Sequence, residues 1–215
     1  TAFFVVWKFS ENFFKDQKYS LISILVLEGV YFYNFTTPEF NVNVCQLPFW
    51  ALTVYYCWKS VEDNKIKNWI LFGVFAGLGI LSKYIFFSLL FGITIFLIYS
   101  ILKVKKFNLK YFIPFTIFIF IISPHIFWLY NNNFSTITYG LNRSGLEEQE
   151  LLNHLHNPLT FLGKQIGILS PFFIMIFFLV SKFKIKFNFK DKKFIFLNSI
   201  FIIPIILMFS ISLFT

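Results

Sequence analysis

Apolar residues fill eight stretches of this chain, and short polar connections separate them. The stretches are 1–7, 20–33, 43–58, 69–82, 84–102, 111–130, 158–181 and 194–214. Because lipid offers the backbone no hydrogen-bond partners, apolar segments cross it as helices. The pattern predicts an all-α fold, a polytopic transmembrane bundle of about seven to eight spans. Several stretches are shorter than the ~20 residues of a straight span, which favours a bundle with an indented, water-accessible face.

Lys83 is the only charge in the longest apolar run, 69–102. A lysine near the centre of a bilayer costs roughly 2.5–3.5 kcal/mol on insertion scales. We therefore expect this run to cross the membrane twice, as a hairpin that turns at Ser82-Lys83-Tyr84. Lys83 would then face water or an anionic group at the turn. The alternative is a snorkelling lysine that only marks the membrane interface.

The basic residues gather in four connections. The chain is 57% hydrophobic and 13% charged, with a net charge of +9, whereas soluble domains carry about 25% charged residues. Sixteen of its 19 Lys and Arg residues lie in the connections 8–20, 59–68, 103–110 and 182–193. The positive-inside rule predicts that these connections are cytoplasmic, which leaves 34–42 and 131–157 outside.

The most basic connection, "KFKIKFNFKDKK" (182–193), alternates lysine with apolar residues. We expect it to lie along an anionic inner leaflet, which makes membrane lipids a partner. Nucleic acid is not an expected partner, because no basic face of a folded soluble domain is visible.

The outer connection 131–157 contains a possible helix signal. Ser144 is followed three residues later by Glu147, the spacing of a capping box, and Pro158 marks a boundary further on. We expect a short helix on the outer membrane surface.

Three histidines raise the question of a metal or a cavity. His154 and His156 are two residues apart, so on a helix they do not face each other, and an interfacial polar cluster is favoured over a shared divalent ion. No cofactor is expected. His125 follows Pro124 near the middle of a predicted span. A histidine at membrane depth faces a cavity or a polar partner; a structural histidine is the alternative.

Acidic and amide residues supply further candidates for recognition. Glu28, in an apolar stretch, would hydrogen-bond a substrate hydroxyl, pair with Lys83, or bond a neighbouring helix as a protonated carboxyl. Glu39, Asn41 and Asn43 crowd the turn "TTPEFNVN". This turn suits sugar or phosphate recognition, but equally an ordinary turn in which Asn43 is the N-cap of the next helix.

Four stretches carry a family resemblance. They are "FNVNVCQLPFWALTVYY" (40–56), "GVFAGLGILSKY" (73–84), "SPHIFWLYNNNFSTITYGLNRSG" (123–145) and "HNPLTFLGKQIGILSPFF" (156–173). Together, over about 40–173, they resemble the bacterial family 39 glycosyltransferases. These are relatives of dolichyl-phosphate-mannose–protein mannosyltransferase in the polytopic C superfamily.

The resemblance implies an inverting hexosyl- or pentosyltransferase of the bacterial inner membrane. Such an enzyme moves a sugar from a polyprenyl-phosphate donor to a lipid, glycan or protein acceptor on the outer face. It would serve the cell envelope, in surface polysaccharide or lipopolysaccharide.

The resemblance also implies a donor-phosphate site. It places Lys83 beside the outer cavity where the phosphate is held. Arg143, the only arginine, is the expected second cation, because a guanidinium grips phosphate bidentately. The remaining cavity candidates are Glu28, Glu39, Asn41, Asn43 and His125.

The chain departs from the family at two points. Many members carry Asp where this chain has Asn43, and an amide cannot act as a base. The family's catalytic aspartate belongs to the first outer loop, which would precede Thr1. We therefore expect 1–215 to be one transmembrane glycosyltransferase domain that lacks its first span, its first outer loop and its catalytic base, with Glu39 as a substitute base the alternative.

A transporter or flippase of a lipid-linked glycan is the second functional hypothesis, and a structural subunit is the third. Transporters commonly show internal repeats and broken helices at the midplane. No repeat is visible here, and the polar groups gather towards one side, which favours an outer-face enzyme.

Overall fold

The computed structural model describes residues 1–30, 33, 38–105, 108–143, 153–182 and 188–214, and the predicted all-α fold is confirmed within them. The helices are α1 Ala2–Ser10, α2 Gln17–Glu28, α3 Val42–Asp63, α4 Ile66–Ser82, α5 Phe87–Val104, α6 Phe112–Asn131, α7 Ser135–Arg143, α8 Asn153–Lys182 and α9 Lys192–Ser212. One-turn 3₁₀ helices at Tyr84–Phe86 and Leu109–Tyr111 precede α5 and α6.

The predicted count of seven to eight spans is not confirmed. Within the described residues, four helices are long and apolar enough to cross a membrane: Tyr84–Lys103, Leu109–Asn131, His156–Phe178 and Lys192–Ser212. The twelve residues of α2 are too few for a span, since a span needs ~20. The 17-residue α4 is apolar but short.

Two residues, Asn64 and Lys65, join α3 to α4. The predicted connection 59–68 is therefore too long, because α3 continues to Asp63. Asn64 ends it in the left-handed conformation (φ 51°), which asparagine tolerates at helix ends. The Asn64 amide oxygen also accepts a hydrogen bond from Trp69 Nε1 at 3.3 Å.

Glycines bring α4 close to α6. A Cβ added at Gly73 would lie 2.7 Å from the Pro114 carbonyl oxygen, and one at Gly77 would lie 2.8 Å from Ile121 Cγ2. Small residues allow such backbone approach between membrane helices. The stretch "GVFAGLGILSKY" thus contributes the packing face of α4.

The predicted break in the run 69–102 is confirmed at Lys83. There α4 ends, and Lys83 is extended (φ −165°, ψ 134°). Trp69 contacts Tyr111 near the starts of α4 and α6, and Tyr84 bonds His125 near their ends. Since α4 and α6 run in the same direction, α5 must carry the chain back between them.

The buried core is shared by α3, α4, α5 and α9, and α1 packs against it. Phe196 is fully buried, with ring centroids 4.7 Å from Phe96 and 5.1 Å from Trp58. Gly92 of α5 allows the Ser199 carbonyl of α9 to approach closely. This packing holds α9 against α5.

The four basic connections meet at one end of the bundle, which we call the basic end. Lysine ammonium groups donate to backbone carbonyls across it. The pairs are Lys193 to Asn12, Lys192 to Val61, Lys103 to Lys190 and Lys110 to Asn64. Their grouping agrees with the charge pattern, and their cytoplasmic location stays a prediction. Residues 183–187 of the predicted leaflet-binding stretch lie outside the described residues.

The predicted surface helix begins at Ser144, and residues 144–152 lie outside the described residues. The expected boundary at Pro158 is wrong, because Pro158 lies inside α8. A proline early in a helix removes one backbone hydrogen bond, and the apolar sequence after it sustains the helix.

Candidate functional site

Lys83 and Asn43 meet at the end of the bundle opposite the basic end. The Lys83 ammonium donates to Asn43 Oδ1 at 2.5 Å. Asn43 is available because Asn41, not Asn43, is the N-cap of α3, which corrects the sequence prediction. Asn41 Oδ1 accepts from the backbone N–H groups of Asn43 at 2.9 Å and Val44 at 3.2 Å. We call this end the site end.

The Lys83 ammonium has a neutral partner. Across the described ranges, the ion pairs are Lys8–Glu11 and Lys59–Asp63, and neither involves Lys83. An ammonium has three donors, and Asn43 uses one. Among the described residues no carboxylate pairs with Lys83, and two of its three donors are not used by Asn43.

A cavity of about 650 Å³ lies beside this pair, between α3, the Lys83 turn, α8 and α9. Its polar lining includes Asn43, Gln46, Lys83, Ser88 and Gln165. Its walls are otherwise mostly apolar, and include Phe161, Leu169, Phe201 and Met208. The volume and the mixed lining are typical of a small-molecule site.

Sequence reasoning missed Gln46 and Gln165 as site residues. Gln46 lies three residues after Asn43, so both occupy one face of α3, and this spacing could have identified it. Gln46 Oε1 is buried and has no hydrogen-bond partner among the residues that the structure describes. No comparable signal marks Gln165, because it reaches the cavity only through the placement of α8 in the fold.

The Tyr84 side chain forms hydrogen bonds with α6 and α7, not with α3. Its hydroxyl lies 2.7 Å from His125 Nε2 and 2.8 Å from Thr136 Oγ1. The His125 ring stacks on Trp128, with centroids 5.9 Å apart and planes 11° apart. His125 therefore has polar and aromatic partners at the site end, but it does not line the 650 Å³ cavity.

Three predicted cavity residues lie elsewhere. Glu28 was expected inside a helix that extends to 33, but it is the last residue of α2 and its side chain is exposed. Glu39 is exposed in the turn before α3, and Asn41 is the helix cap. None of the three lines the 650 Å³ cavity.

Arg143 is the last residue of α7. Its side chain lies outside the described part of the structure, so its pairing with Lys83 stays a prediction. Near its start, α7 contacts Tyr84 through the Thr136 hydroxyl. Arg143 lies seven residues further on, about 10 Å along the helix axis from Thr136.

The two histidines of the outer connection have different surroundings. His154 Nδ1 lies 2.6 Å from the Leu213 carbonyl oxygen, which joins the start of α8 to the end of α9. His156 is exposed. In the part of the chain that the structure describes, no three His, Cys, Asp or Glu side chains form a metal-binding group.

A comparison with known families matches residues 1–128 to the model for dolichyl-phosphate-mannose-protein mannosyltransferase. The chain belongs to this family. Membership indicates a mannosyltransferase-like membrane glycosyltransferase of the C superfamily. The match begins and ends earlier than the resemblance predicted over 40–173. No curated protein and no solved structure matches the chain.

The matched region contains one half of the candidate site. Asn43, Lys83, Tyr84 and His125 lie inside it, whereas α7, α8 and α9 lie beyond it. Most of the polar lining, including Asn43, Gln46 and Lys83, thus comes from the matched part of the chain, whereas Gln165 and the apolar residues of α8 and α9 come from the part after it.

Proposed function

We propose that this glycosyltransferase takes a sugar from a polyprenyl-phosphate donor and transfers it to a lipid, glycan or protein on the outer face of a bacterial inner membrane. The observation that carries the proposal is the Lys83 ammonium, which lines the 650 Å³ cavity without a carboxylate partner among the described residues. A monoanionic phosphodiester is the ligand that such a charge selects.

The Lys83 ammonium would act on the leaving group. The acceptor hydroxyl attacks the anomeric carbon, the bond from that carbon to the phosphate oxygen breaks, and polyprenyl phosphate departs while a base takes the hydroxyl proton. Negative charge grows on the phosphate as the bond breaks. A cation already held in place by Asn43 stabilises that charge without reorganisation. Asn43 is an amide, so it positions the ammonium and is not the base.

The apolar wall of the cavity suits the rest of the donor. Residues of α8 and α9 provide much of it, among them Leu169, Phe201 and Met208. Each buried methylene of a prenyl chain gains about 0.8 kcal/mol. A cation on one side and an apolar wall on the other match a phosphate joined to a hydrocarbon chain.

Sugar transfer by the full-length protein in liposomes tests this proposal. Radiolabelled polyprenyl-phosphate sugars are supplied, and transfer is compared between wild type and Lys83→Met. We expect kcat/KM to fall about 10²–10³-fold, the usual loss when one transition-state donor is removed. Lys83→Arg should retain part of the rate.

Lys164→Met is the matched control, because Lys164 is an exposed lysine of α8 that does not line the cavity. It should transfer sugar at close to the wild-type rate. Wild-type transfer by Lys83→Met would overturn the phosphate assignment. Movement of intact donor across the bilayer without transfer would instead support the flippase.

A further inference from the structure

Lys83 and Tyr84 are consecutive residues whose side chains bind different helices. Lys83 reaches Asn43 of α3, whereas Tyr84 reaches His125 of α6 and Thr136 of α7. We infer that the Tyr84 hydroxyl is a positioning group that fixes the Lys83 ammonium in the cavity. This inference rests on the proposed function of Lys83.

The backbone at Lys83 is held on the inner side of the turn. Lys83 is the single extended residue between α4 and the 3₁₀ turn. Its N–H bonds the Gly79 carbonyl at 3.2 Å, and its carbonyl accepts from Phe86 N–H at 3.0 Å. The Phe86 ring is fully buried against Trp50 and Gly79. These contacts anchor the turn on its inner side.

Tyr84 supplies the anchor on the outer side. A tyrosine hydroxyl has one donor and can also accept, so it bonds His125 and Thr136 at the same time. The two bonds hold the turn to α6 and α7. A 1 Å displacement of a catalytic group can lower a rate about 10²-fold. Loss of this anchor should therefore displace the Lys83 ammonium and lower the rate of transfer.

The turn between α6 and α7 also supports a positioning role for the Tyr84 hydroxyl. Asn133 and Phe134 both have left-handed backbones, with φ of 51° and 54°. This conformation is unfavourable for a bulky residue such as phenylalanine. It persists where the surrounding structure determines it, and such strain clusters at functional sites. Here the strained turn delivers Thr136 to the Tyr84 hydroxyl.

Equilibrium binding of polyprenyl monophosphate to the full-length protein in nanodiscs tests the inference. Wild type, Tyr84→Phe, Lys83→Met and the double variant form a double-mutant cycle. We expect Lys83→Met to raise Kd tenfold or more and Tyr84→Phe to raise it threefold to tenfold. The double variant should match Lys83→Met, because the hydroxyl acts through the ammonium.

Turnover gives a second readout. Tyr84→Phe should lower kcat more than it changes KM for the donor, since the leaving-group charge is largest in the transition state. Thr136→Val, which breaks the same network from α7, should shift Kd in the same direction. Tyr130→Phe, an exposed tyrosine of α6, is the control and should bind like wild type. Thermal melting of each variant checks that it folds.

The possible results separate the two claims. A Kd unchanged by Lys83→Met would refute the phosphate site and this inference with it. A weakened Lys83→Met together with a wild-type Tyr84→Phe would overturn only the positioning role. Equal effects of Tyr84→Phe in the presence and absence of Lys83 would show that the hydroxyl acts independently of the ammonium, and would also overturn it.

Discussion

Two asparagines two residues apart have different roles at the start of α3. Asn41 caps the helix, and this leaves the Asn43 side chain to hold Lys83. Either residue is a good N-cap by type, and sequence patterns locate helix ends only to within one or two residues. The sequence therefore predicted a cap in this turn but assigned it to the wrong residue.

The neutrality of Asn43 has a measurable consequence. Asn43→Asp would place a carboxylate against the Lys83 ammonium and compete with the donor phosphate. Because an accessible ion pair is worth up to about 1 kcal/mol, polyprenyl monophosphate should bind about fivefold more weakly. Equilibrium binding measures this change.

The control for that charge change is Asn188→Asp at the basic end. There the side chain accepts from the Lys190 backbone N–H, and a carboxylate accepts equally well. This variant should bind like wild type. Unchanged or tighter binding by Asn43→Asp would contradict the account of Lys83 as a charged, unneutralised ligand.

Roles that depend on a neighbouring helix could not be predicted from residues alone. Tyr84 was recognised as part of the turn, but its partners His125 and Thr136 lie 41 and 52 residues away. Gln46 was within a quoted motif and went unassigned. Only the packing of α6, α7 and α8 shows what these side chains face.

At the scale of elements, α4 shows which features a pattern can predict. A lone charge in an apolar run predicted the break at Lys83, because burial of an ammonium in lipid is costly. The predicted end of α3 was too early, because charged residues were taken to end the helix. Lys59 and Asp63 look like connection residues, yet they form an i,i+4 ion pair at 3.9 Å inside the helix, and such pairs favour helix continuation.

The glycine face of α4 predicts a selective loss of stability. Gly73→Ala would push a methyl group against the backbone of Pro114, which cannot yield without moving α6. Overpacking of this kind costs about 1–3 kcal/mol. Thermal unfolding in detergent should show a lower melting temperature.

Gly163→Ala in α8 is the matched control. A Cβ there meets nothing within 4 Å, and alanine is the better helix former by about 1 kcal/mol. Its melting temperature should equal or exceed that of wild type. Equal stability of Gly73→Ala and Gly163→Ala would show that α4 and α6 are not closely packed.

At the scale of the whole molecule, the lysine-rich connections and the candidate site lie at opposite ends of the bundle. The basic end gathers the lysine-rich connections, and the site end holds Lys83, Asn43 and Tyr84. The charge pattern predicted this separation because the basic connections alternate regularly with apolar segments. The predicted span count is not confirmed, since four of the described helices have the length and apolar character of a span.

The polarity of the bundle predicts accessibility from each side of the membrane. Cysteines are introduced at Gly140 of α7 and at Asn188 of the basic end, after Cys45 and Cys57 are replaced. An impermeant maleimide should label Gly140→Cys in intact cells, and Asn188→Cys only after permeabilisation. The reverse pattern would place the site on the cytoplasmic face and contradict the proposed outer-face transfer.

The central claim is that the Lys83 ammonium binds the phosphate of a lipid-linked sugar in the cavity between α3, α8 and α9. A cryo-electron microscopy structure of the full-length protein with polyprenyl monophosphate tests it most directly. The account predicts phosphate density within hydrogen-bond distance of Lys83 Nζ and a prenyl chain along the α8–α9 wall. Phosphate bound elsewhere, with Lys83 still paired only to Asn43, would contradict it.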